Sequence, residues 1–345
     1  MKRTLYIAFI AALSILASCT KQAVDDAPMV SGTSNSYIFF EPTVEDSEGT
    51  KASLLLGTQL PTNQYTAFGV IGYYGQTSLF GGIAKVYRPS AGGAFQYDDL
   101  AAWQDATTLH DFYAFYPYSL DASVTARTSP YLAYTQPTAD VDMIDVLTAK
   151  TSIAKTDNVP LVFHHRLWAL DVEITNSQTS GLNSSGSTVA TPDLTITGIQ
   201  LSVKDFPQVT YIPLDVDGNI TYLENEVLQE TTYTISDRSS QATIPYGETE
   251  PYGALLFAPV PANTFQYKLV ISFTDSRGEA SSFTYPSSGY KTSSVAFEGG
   301  KRYSLVVNKT PDVFVVGSYA DPDGDESNEF APSDWAKTDV DHTFN

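Results

Sequence analysis

The segment VPLVFHHRLWALDVEITN, residues 159–176, is the most direct indication of the fold of this chain. It is rich in β-branched and aromatic residues, and no helical period runs through its apolar positions. Such a run predicts β-strand. Neighbouring His164 and His165 then point to opposite faces of the sheet, so they cannot form a two-ligand metal site by themselves. We expect one of them to be packed and the other exposed.

Similar segments recur on both sides of this one. Short apolar runs bounded by Gly, Pro, Asn, Asp and Ser include YTAFGVIGYYG (65–75), DFYAFYPYS (111–119) and the strand after the turn in FEGGKRYSLVV (297–307). Only YDDLAAWQDATTL, residues 97–109, could form a short helix. Many short strands with regularly spaced turn signals predict an all-β protein built of β-sandwiches.

The length of 345 residues favours two domains. We place the boundary near TDNVP (156–160), which gives one sandwich over 37–157, a second over 158–318, and an acidic tail over 319–345. A Ser/Gly/Thr-rich stretch at 177–193 is the competing boundary. We interpret it instead as a long surface hairpin loop, because the strands on both sides look able to pair.

The N-terminus has the three parts of a bacterial lipoprotein signal. Lys2 and Arg3 precede an apolar run that is too short to span a bilayer, and the run ends in LASC. We therefore expect residues 1–18 to be a signal peptide and Cys19 to carry acyl chains such as palmitate, with 19–36 as a tether. The alternative is an ordinary secretory signal with an incidental cysteine. The acidic pair in TKQAVDDAP resembles an export tag for the outer face of the outer membrane.

Composition argues against nucleic-acid binding and against catalysis. The net charge is −20 and the pI about 4.3, so the chain repels anionic partners. A lipidated Cys19 leaves no thiol nucleophile, and there is no G-x-S-x-G elbow. We predict a protein that is not an enzyme and has no cofactor and no metal. The acidic stretch 321–329 fails the EF-hand spacing, although a looser calcium loop stays open.

Aromatic residues are dense in the first half of the chain. In sandwiches they usually fill cores, but they could also line a glycan-binding face. The residues concerned are Tyr73, Tyr74, Trp103, Tyr113, Phe115, Tyr116 and Tyr118.

Several of these elements occur together in one order. They are the lipoprotein signal, YIFF, GTKA, FGVIGYYG, DFYAFYPYS, VPLVFHHRLWALDVEIT, FEGGKRYSLVV and PSDWAK. In this order the chain resembles the fimbrillin family of Bacteroidetes surface lipoproteins, the subunits of type V pili. The resemblance implies two tandem transthyretin-like β-sandwich domains. It also implies a lipid-anchored precursor on the outer membrane, in which a trypsin-like protease removes the first strand. A C-terminal strand of another pilus subunit then fills the groove.

On this basis Lys51 is the expected processing site. Residues 37–44 would occupy a sheet edge, and residues 45–52 would form an exposed loop; the alternative is an ordinary solvated lysine. The expected donor segment contains apolar residues that do not alternate cleanly, and this leaves the place of the subunit open between stalk, tip and anchor. They are Phe330, Trp335, Val340 and Phe344. The predicted function is a structural subunit of an adhesive surface fimbria. The alternative is a glycan-binding outer-membrane lipoprotein that does not polymerise.

Overall fold

The fold is built of β-strands. The computed structural model describes residues 36–45, 51–53, 67–88, 94–120, 122–123, 130–139, 142–182, 185–223, 226–235, 243–275, 278–317 and 330–334. Within these ranges there are strands, turns and bends but no α-helix. The all-β prediction is confirmed.

The first sheet has eight strands, in the order β2-β1-β10-β9-β6-β3-β4 with β5 also paired to β3. Neighbours in it are antiparallel except β1 and β10, which run parallel. Its members are β1 (Phe40–Glu45), β2 (Lys51–Ser53), β3 (Phe68–Tyr74), β4 (Thr77–Ser78), β5 (Ala84–Val86), β6 (His110–Tyr116), β9 (Leu147–Ile153) and β10 (Val159–His165).

A five-stranded sheet has the order β19-β11-β23-β24, with β25 also on β23. It contains β11 (Trp168–Asn176), β19 (Thr249–Phe257), β23 (Lys301–Lys309), β24 (Phe314–Val316) and β25 (Phe330–Asp334). A four-stranded sheet, in the order β16-β15-β8-β7, contains β7 (Ala122–Ser123), β8 (Tyr131–Thr135), β15 (Val209–Pro213) and β16 (Thr221–Tyr222).

The longest strand of the described residues organises a six-stranded sheet of order β17-β14-β20-β21. Its strands are β14 (Leu194–Pro207), β17 (Val227–Ile235), β18 (Thr243–Ile244), β20 (Gln266–Thr274), β21 (Ala280–Tyr285) and β22 (Lys291–Thr292). The stretch 177–193 contains a hairpin of its own, formed by β12 (Ser180–Leu182) and β13 (Thr188–Ala190). The prediction that the strands on its two sides pair with each other is wrong, because β11 and β14 lie in different sheets.

The segment 159–176 forms two strands rather than one. β10 lies in the first sheet and β11 in the five-stranded sheet, and the chain turns between them at Arg166 and Leu167. The Arg166 backbone N–H donates to the carbonyl of Val146, and its guanidinium donates to the carbonyls of Val216 and Gly218. These partners are distant in sequence, so the break could not be foreseen from the local pattern.

The predicted short helix over 97–109 is wrong. Asp105 accepts hydrogen bonds from the backbone N–H groups of Thr107 and Thr108, at 2.8 and 2.6 Å, and from the Tyr74 hydroxyl at 2.7 Å. An Asp side chain that bonds the following amides offers the backbone an alternative to helix. The pKa of the Asp105 carboxyl is held well below its usual range, first by a hydrogen bond from the Thr108 side chain, then by the Tyr74 hydroxyl and by these two backbone bonds.

Two apolar cores lie on the two faces of the first sheet. Along β6, Phe112 and Ala114 belong to the smaller core, whereas Tyr113 and Phe115 belong to the larger one, which also contains Trp168. The larger core therefore combines residues from both sides of position 157. In addition, β8 pairs with β15 across that position. The two-domain arrangement and the boundaries 37–157 and 158–318 stay a prediction.

Candidate assembly site

The strand β1 covers one side of β10. Their parallel register runs from Phe40 opposite Val159 to Val44 opposite Phe163. In the described part of the chain, β9 pairs with β10 only at His164 and His165. The stretch Val159–Phe163 therefore has β1 as its strand partner. Without β1 this stretch would present unpaired backbone N–H and C=O groups.

Alternate side chains of the β1 segment enter the smaller core. Ile38, Phe40 and Pro42 are buried while Glu41 is exposed. The Phe40 ring packs against three others, with centroid distances of 5.7 Å to Phe112, 5.8 Å to Tyr97 and 6.2 Å to Phe80. The first strand thus fills an aromatic groove as well as pairing with an edge.

Backbone hydrogen bonds hold the chain just before β1. The Tyr97 hydroxyl donates to the Ile38 carbonyl at 2.9 Å. The Ile38 N–H donates to the Ala101 carbonyl, and the Trp103 N–H to the Ser36 carbonyl. Burial raises the pKa of Tyr97 to about 12, so this donor keeps its proton at neutral pH.

Lys51 lies in a strand and not in a loop. It begins β2, whose backbone pairs antiparallel with β1 with Lys51 opposite Glu45 and Ser53 opposite Thr43. The predicted exposed loop over 45–52 is wrong at both ends, and 46–50 lie outside the described residues. β1 is also one strand in from the edge at Thr43–Glu45. A three-residue outer strand is short enough to release readily, because few backbone hydrogen bonds hold it.

The predicted donor residue Phe330 is part of its own chain's core. It is 1% exposed, and its ring lies 5.0 Å from that of Phe297, 5.3 Å from Tyr267 and 6.4 Å from Phe265. β25 pairs antiparallel with β23, from Phe330 opposite Leu305 to Asp334 opposite Lys301. Trp335, Val340 and Phe344 lie outside the described residues.

The opposite side of β23 is fixed to β11. Parallel pairing runs from Arg302 opposite Ala169 to Lys309 opposite Asn176. The buried Arg302 guanidinium donates to the Asp171 carboxylate, and the Ser304 hydroxyl donates to Glu173 at 2.6 Å. β24 and β25 share the remaining side of β23, since β24 pairs with Val307–Lys309 and β25 with Lys301–Leu305.

The model of a family described as fimbrillin-like matches residues 58–319, most of the chain. The chain belongs to the fimbrillin-like family. The match begins after β1 and β2 and ends before β25, so both terminal strands lie outside it. No curated protein matches.

Solved structures share the fold of this fimbrillin-like chain. A fimbrial protein from Bacteroides vulgatus is 14% identical with a TM-score of 0.54, and the match covers 86% of this chain and 99% of that one. A candidate cell adhesion protein from Bacteroides uniformis is 17% identical with a TM-score of 0.51, covering 88% and 100%. Family membership supports a pilus or adhesin role at the cell surface, and a structural rather than an enzymatic one.

The structure describes only some of the other predicted sites. Cys19 and the acidic stretch 321–329 lie outside the described residues. His164 and His165 are both half-buried, and His165 Nδ1 lies 2.6 Å from Asp145 Oδ2. Among the residues that the structure describes, no three His, Cys, Asp or Glu side chains group as metal ligands. The described part of the chain also has no helix long and apolar enough to cross a membrane.

The aromatic set proposed for a glycan face mostly fills cores. Tyr73, Trp103, Tyr113 and Phe115 are buried. The residues that sequence reasoning missed are those that receive β1, namely Val159, Leu161 and Phe163. All three are fully buried and alternate along β10. Their period of two was visible in VPLVF, but the parallel partner was not.

Proposed function

We propose that this fimbrillin-like chain is a structural subunit of an adhesive surface fimbria, assembled by strand exchange after proteolysis beside Lys51. The precursor is held at the outer membrane through acyl chains on Cys19. A trypsin-like protease removes the lipidated segment together with β1. Another subunit then supplies a strand to the vacated side of β10. The partners are therefore other pilus subunits, the protease and the membrane.

The observation that carries this proposal is the pairing of β1 with the stretch Val159–Phe163. Removal of β1 would leave this stretch unpaired and open the groove that Phe40 fills. Each buried backbone group left without a partner costs about 1–3 kcal/mol. An open edge with an apolar groove therefore favours capture of a strand from another chain. Head-to-tail contacts of this kind do not close, so they extend into a filament.

The C-terminal segment is the proposed source of the incoming strand. Phe330 docks in its own chain in the described form, which supports an internal role for β25. The donor role is therefore proposed for Trp335, Val340 and Phe344, which follow β25 in the sequence.

Limited trypsin digestion of the purified full-length precursor tests this mechanism. Cleavage should occur first after Lys51, as N-terminal sequencing of the product would show, because the three-residue β2 releases easily. The cut protein should form oligomers in size-exclusion chromatography with light scattering, and filaments in negative-stain electron microscopy. The Lys51→Ala precursor should stay monomeric under the same treatment.

Lys155→Ala is the control, because it removes a different lysine, one that is half-buried in a bend between strands. It should be cut after Lys51 and should oligomerise like the wild type. A product that is cut after Lys51 but remains an inert monomer would overturn strand exchange. That result would favour the alternative, a glycan-binding lipoprotein that does not polymerise.

A further inference from the structure

A cleft of about 550 Å³ opens on the four-stranded sheet, away from the smaller core that receives β1. Its wall consists of one face of β8, β15 and β16 and of the loop between β15 and β16. The residues that line it are Tyr131, Tyr211, Pro213, Asp215, Gly218, Asn219 and Thr221. The volume lies within the range of sites that bind small molecules, roughly 300–1,000 Å³.

Two tyrosines form an aromatic floor in this cleft. Tyr131 lies opposite Pro213 in the β8–β15 register, and Tyr211 lies opposite Thr221 in the β15–β16 register. The Tyr131 and Tyr211 rings are 5.1 Å apart at 77°. Both side chains are half-buried, whereas the alternating Leu132 and Ile212 are fully buried in the larger core. The tyrosines are therefore on the outer face of the sheet, where packing does not require them.

The polar side of the cleft is held in place by contacts from behind. Asp215 accepts a hydrogen bond from Lys150 Nζ at 2.5 Å. The Arg166 guanidinium, which is buried, donates to the carbonyls of Val216 and Gly218 at 2.8 and 3.3 Å. These bonds fix the loop that carries Asp215 and Asn219. A loop fixed in this way loses little conformational entropy when a ligand binds.

Gly218 allows the loop to fold tightly over the sheet. A Cβ at this position would lie 2.6 Å from the Cβ of Pro213 and 3.1 Å from the carbonyl oxygen of Asp215, so any side chain would displace the turn. The glycine thus keeps Asp215 and Asn219 beside the aromatic floor.

The negative charge of the chain limits the class of ligand that the cleft can bind. The chain has a net charge of −20, and the one charged side chain that lines the cleft is the carboxylate of Asp215, so an anionic ligand is disfavoured. Aromatic faces with a carboxylate, an amide and a hydroxyl beside them suit a neutral ligand with apolar C–H faces and several hydroxyls. Neutral saccharides have both properties.

We infer that this cleft is a binding site for a neutral saccharide, with pyranose rings stacked on Tyr131 and Tyr211. The Asp215 carboxylate accepts hydrogen bonds from sugar hydroxyls, and the side chains of Asn219 and Thr221 can accept or donate them. The site gives an adhesive subunit a ligand class. It does not depend on strand exchange, because every residue involved lies outside β1, β2 and β25.

Saturation-transfer NMR titrations of the uncut full-length chain test this site. The probes are lactose, maltose and N,N′-diacetylchitobiose, with 3′-sialyllactose as the anionic counterpart of lactose. At least one neutral probe should bind with a Kd of about 10 mM or tighter. Tyr211→Ala should weaken binding about tenfold, as expected for the loss of one stacked ring. Asn219→Ala, in the exposed part of the loop, should weaken it by a smaller factor.

Two control variants show whether weaker saccharide binding comes from loss of the site or from loss of the fold. Tyr211→Phe keeps the ring and should bind within about twofold of the wild type. Tyr246→Ala removes a tyrosine that is 45% exposed and outside the cleft, and it should have no effect. The inference is overturned if no neutral probe binds at about 10 mM, if Tyr211→Ala binds like the wild type, or if Tyr246→Ala loses binding equally. Trypsin cleavage at Lys51 is independent of all these outcomes.

Discussion

β1 lies early in the described chain and β25 lies at its end. Each pairs with one side of a longer strand, but the contacts that hold the two strands in place differ. β1 runs parallel to β10 and sends Ile38, Phe40 and Pro42 into the smaller core. β25 runs antiparallel to β23, and its one described side chain, Phe330, enters the larger core. The chain before β1 is also tied to residues 97–103 by three hydrogen bonds, two of which form the Tyr37–Ala102 bridge.

This difference suggests distinct tasks for the two ends. A strand with several buried anchors blocks its groove firmly, so its removal needs a covalent cut rather than thermal opening. Phe330 is the one described anchor of β25, and the free energy of local opening depends on the apolar contacts that are lost. We therefore expect β1 to behave as a plug, and β25 to behave as a hinge that opens more easily.

The largest expected effect comes from Phe40→Ala. Removing a ring packed on Phe80, Tyr97 and Phe112 should lower the free energy of unfolding by about 4–5 kcal/mol, because the surrounding rings cannot close the cavity. Urea unfolding would measure this. Tyr37→Ala is the matched control on the same segment, since Tyr37 is 47% exposed, and it should change stability by about 0.5 kcal/mol or less. Equal effects of the two changes would show that β1 is not a plug.

A smaller loss is expected for Phe330→Ala. The change should lower the free energy of unfolding by about 3 kcal/mol or less. If β25 detaches locally, no cavity remains beneath it, so the loss cannot exceed the free energy that holds β25 in place. Hydrogen exchange should show faster amide exchange in Lys301–Leu305, while the partner β11 keeps its protection. Val315→Ala, on the other strand that covers β23, is the control, because Val315 is exposed. If Phe330→Ala destabilises as much as Phe40→Ala, the distinction between plug and hinge fails.

Tyr97→Phe should have the smallest effect, with a characteristic pH dependence. Losing the hydrogen bond to the Ile38 carbonyl should cost about 1 kcal/mol near neutral pH. The folded pKa of Tyr97 is raised by burial from 10.0 to about 12, so wild-type stability falls as pH rises from 10 towards 12. The difference between the two proteins should therefore shrink over that range in urea unfolding. A difference that stays constant up to pH 12 would contradict this role for Tyr97.

Much of the fold could be predicted from local patterns. The run before Pro117 forms β6 as expected, and the glycine pair before β23 forms the expected turn, with Gly300 at a φ of +73°. The break at Arg166 could not be predicted, because it depends on partners far away in sequence. The helix over 97–109 is replaced in part by local bonds from Thr107 and Thr108 to Asp105, which a sequence pattern can suggest, and in part by a bond to Asp105 from a distant tyrosine, which it cannot. Arg166 bonds a loop 50 residues downstream, and Asp105 bonds a tyrosine 31 residues upstream.

The candidate sites, like the fold, could be predicted from the sequence only in part. The alternation of side chains in the first strand was visible in the sequence. Ile38, Phe40 and Pro42, at every second position, are buried, which agrees with a groove-filling role. The outer strand that contains Lys51 was not foreseen, because a three-residue strand carries almost no sequence signal. The saccharide cleft was missed as well. Its two tyrosines come from strands about 80 residues apart, and only the β8–β15 pairing brings them together.

The parallel pairing of β1 with β10 also affects the order in which the chain can fold. Its partners are about 120 residues apart in sequence, so β1 is synthesised long before its partner strand exists. Until β10 is made, the described backbone partners available to the β1 segment are β2 and residues 97–103. We therefore expect its docking on β10 to be a late event in folding. A strand that enters last can also be lost without undoing the sheet that formed before it.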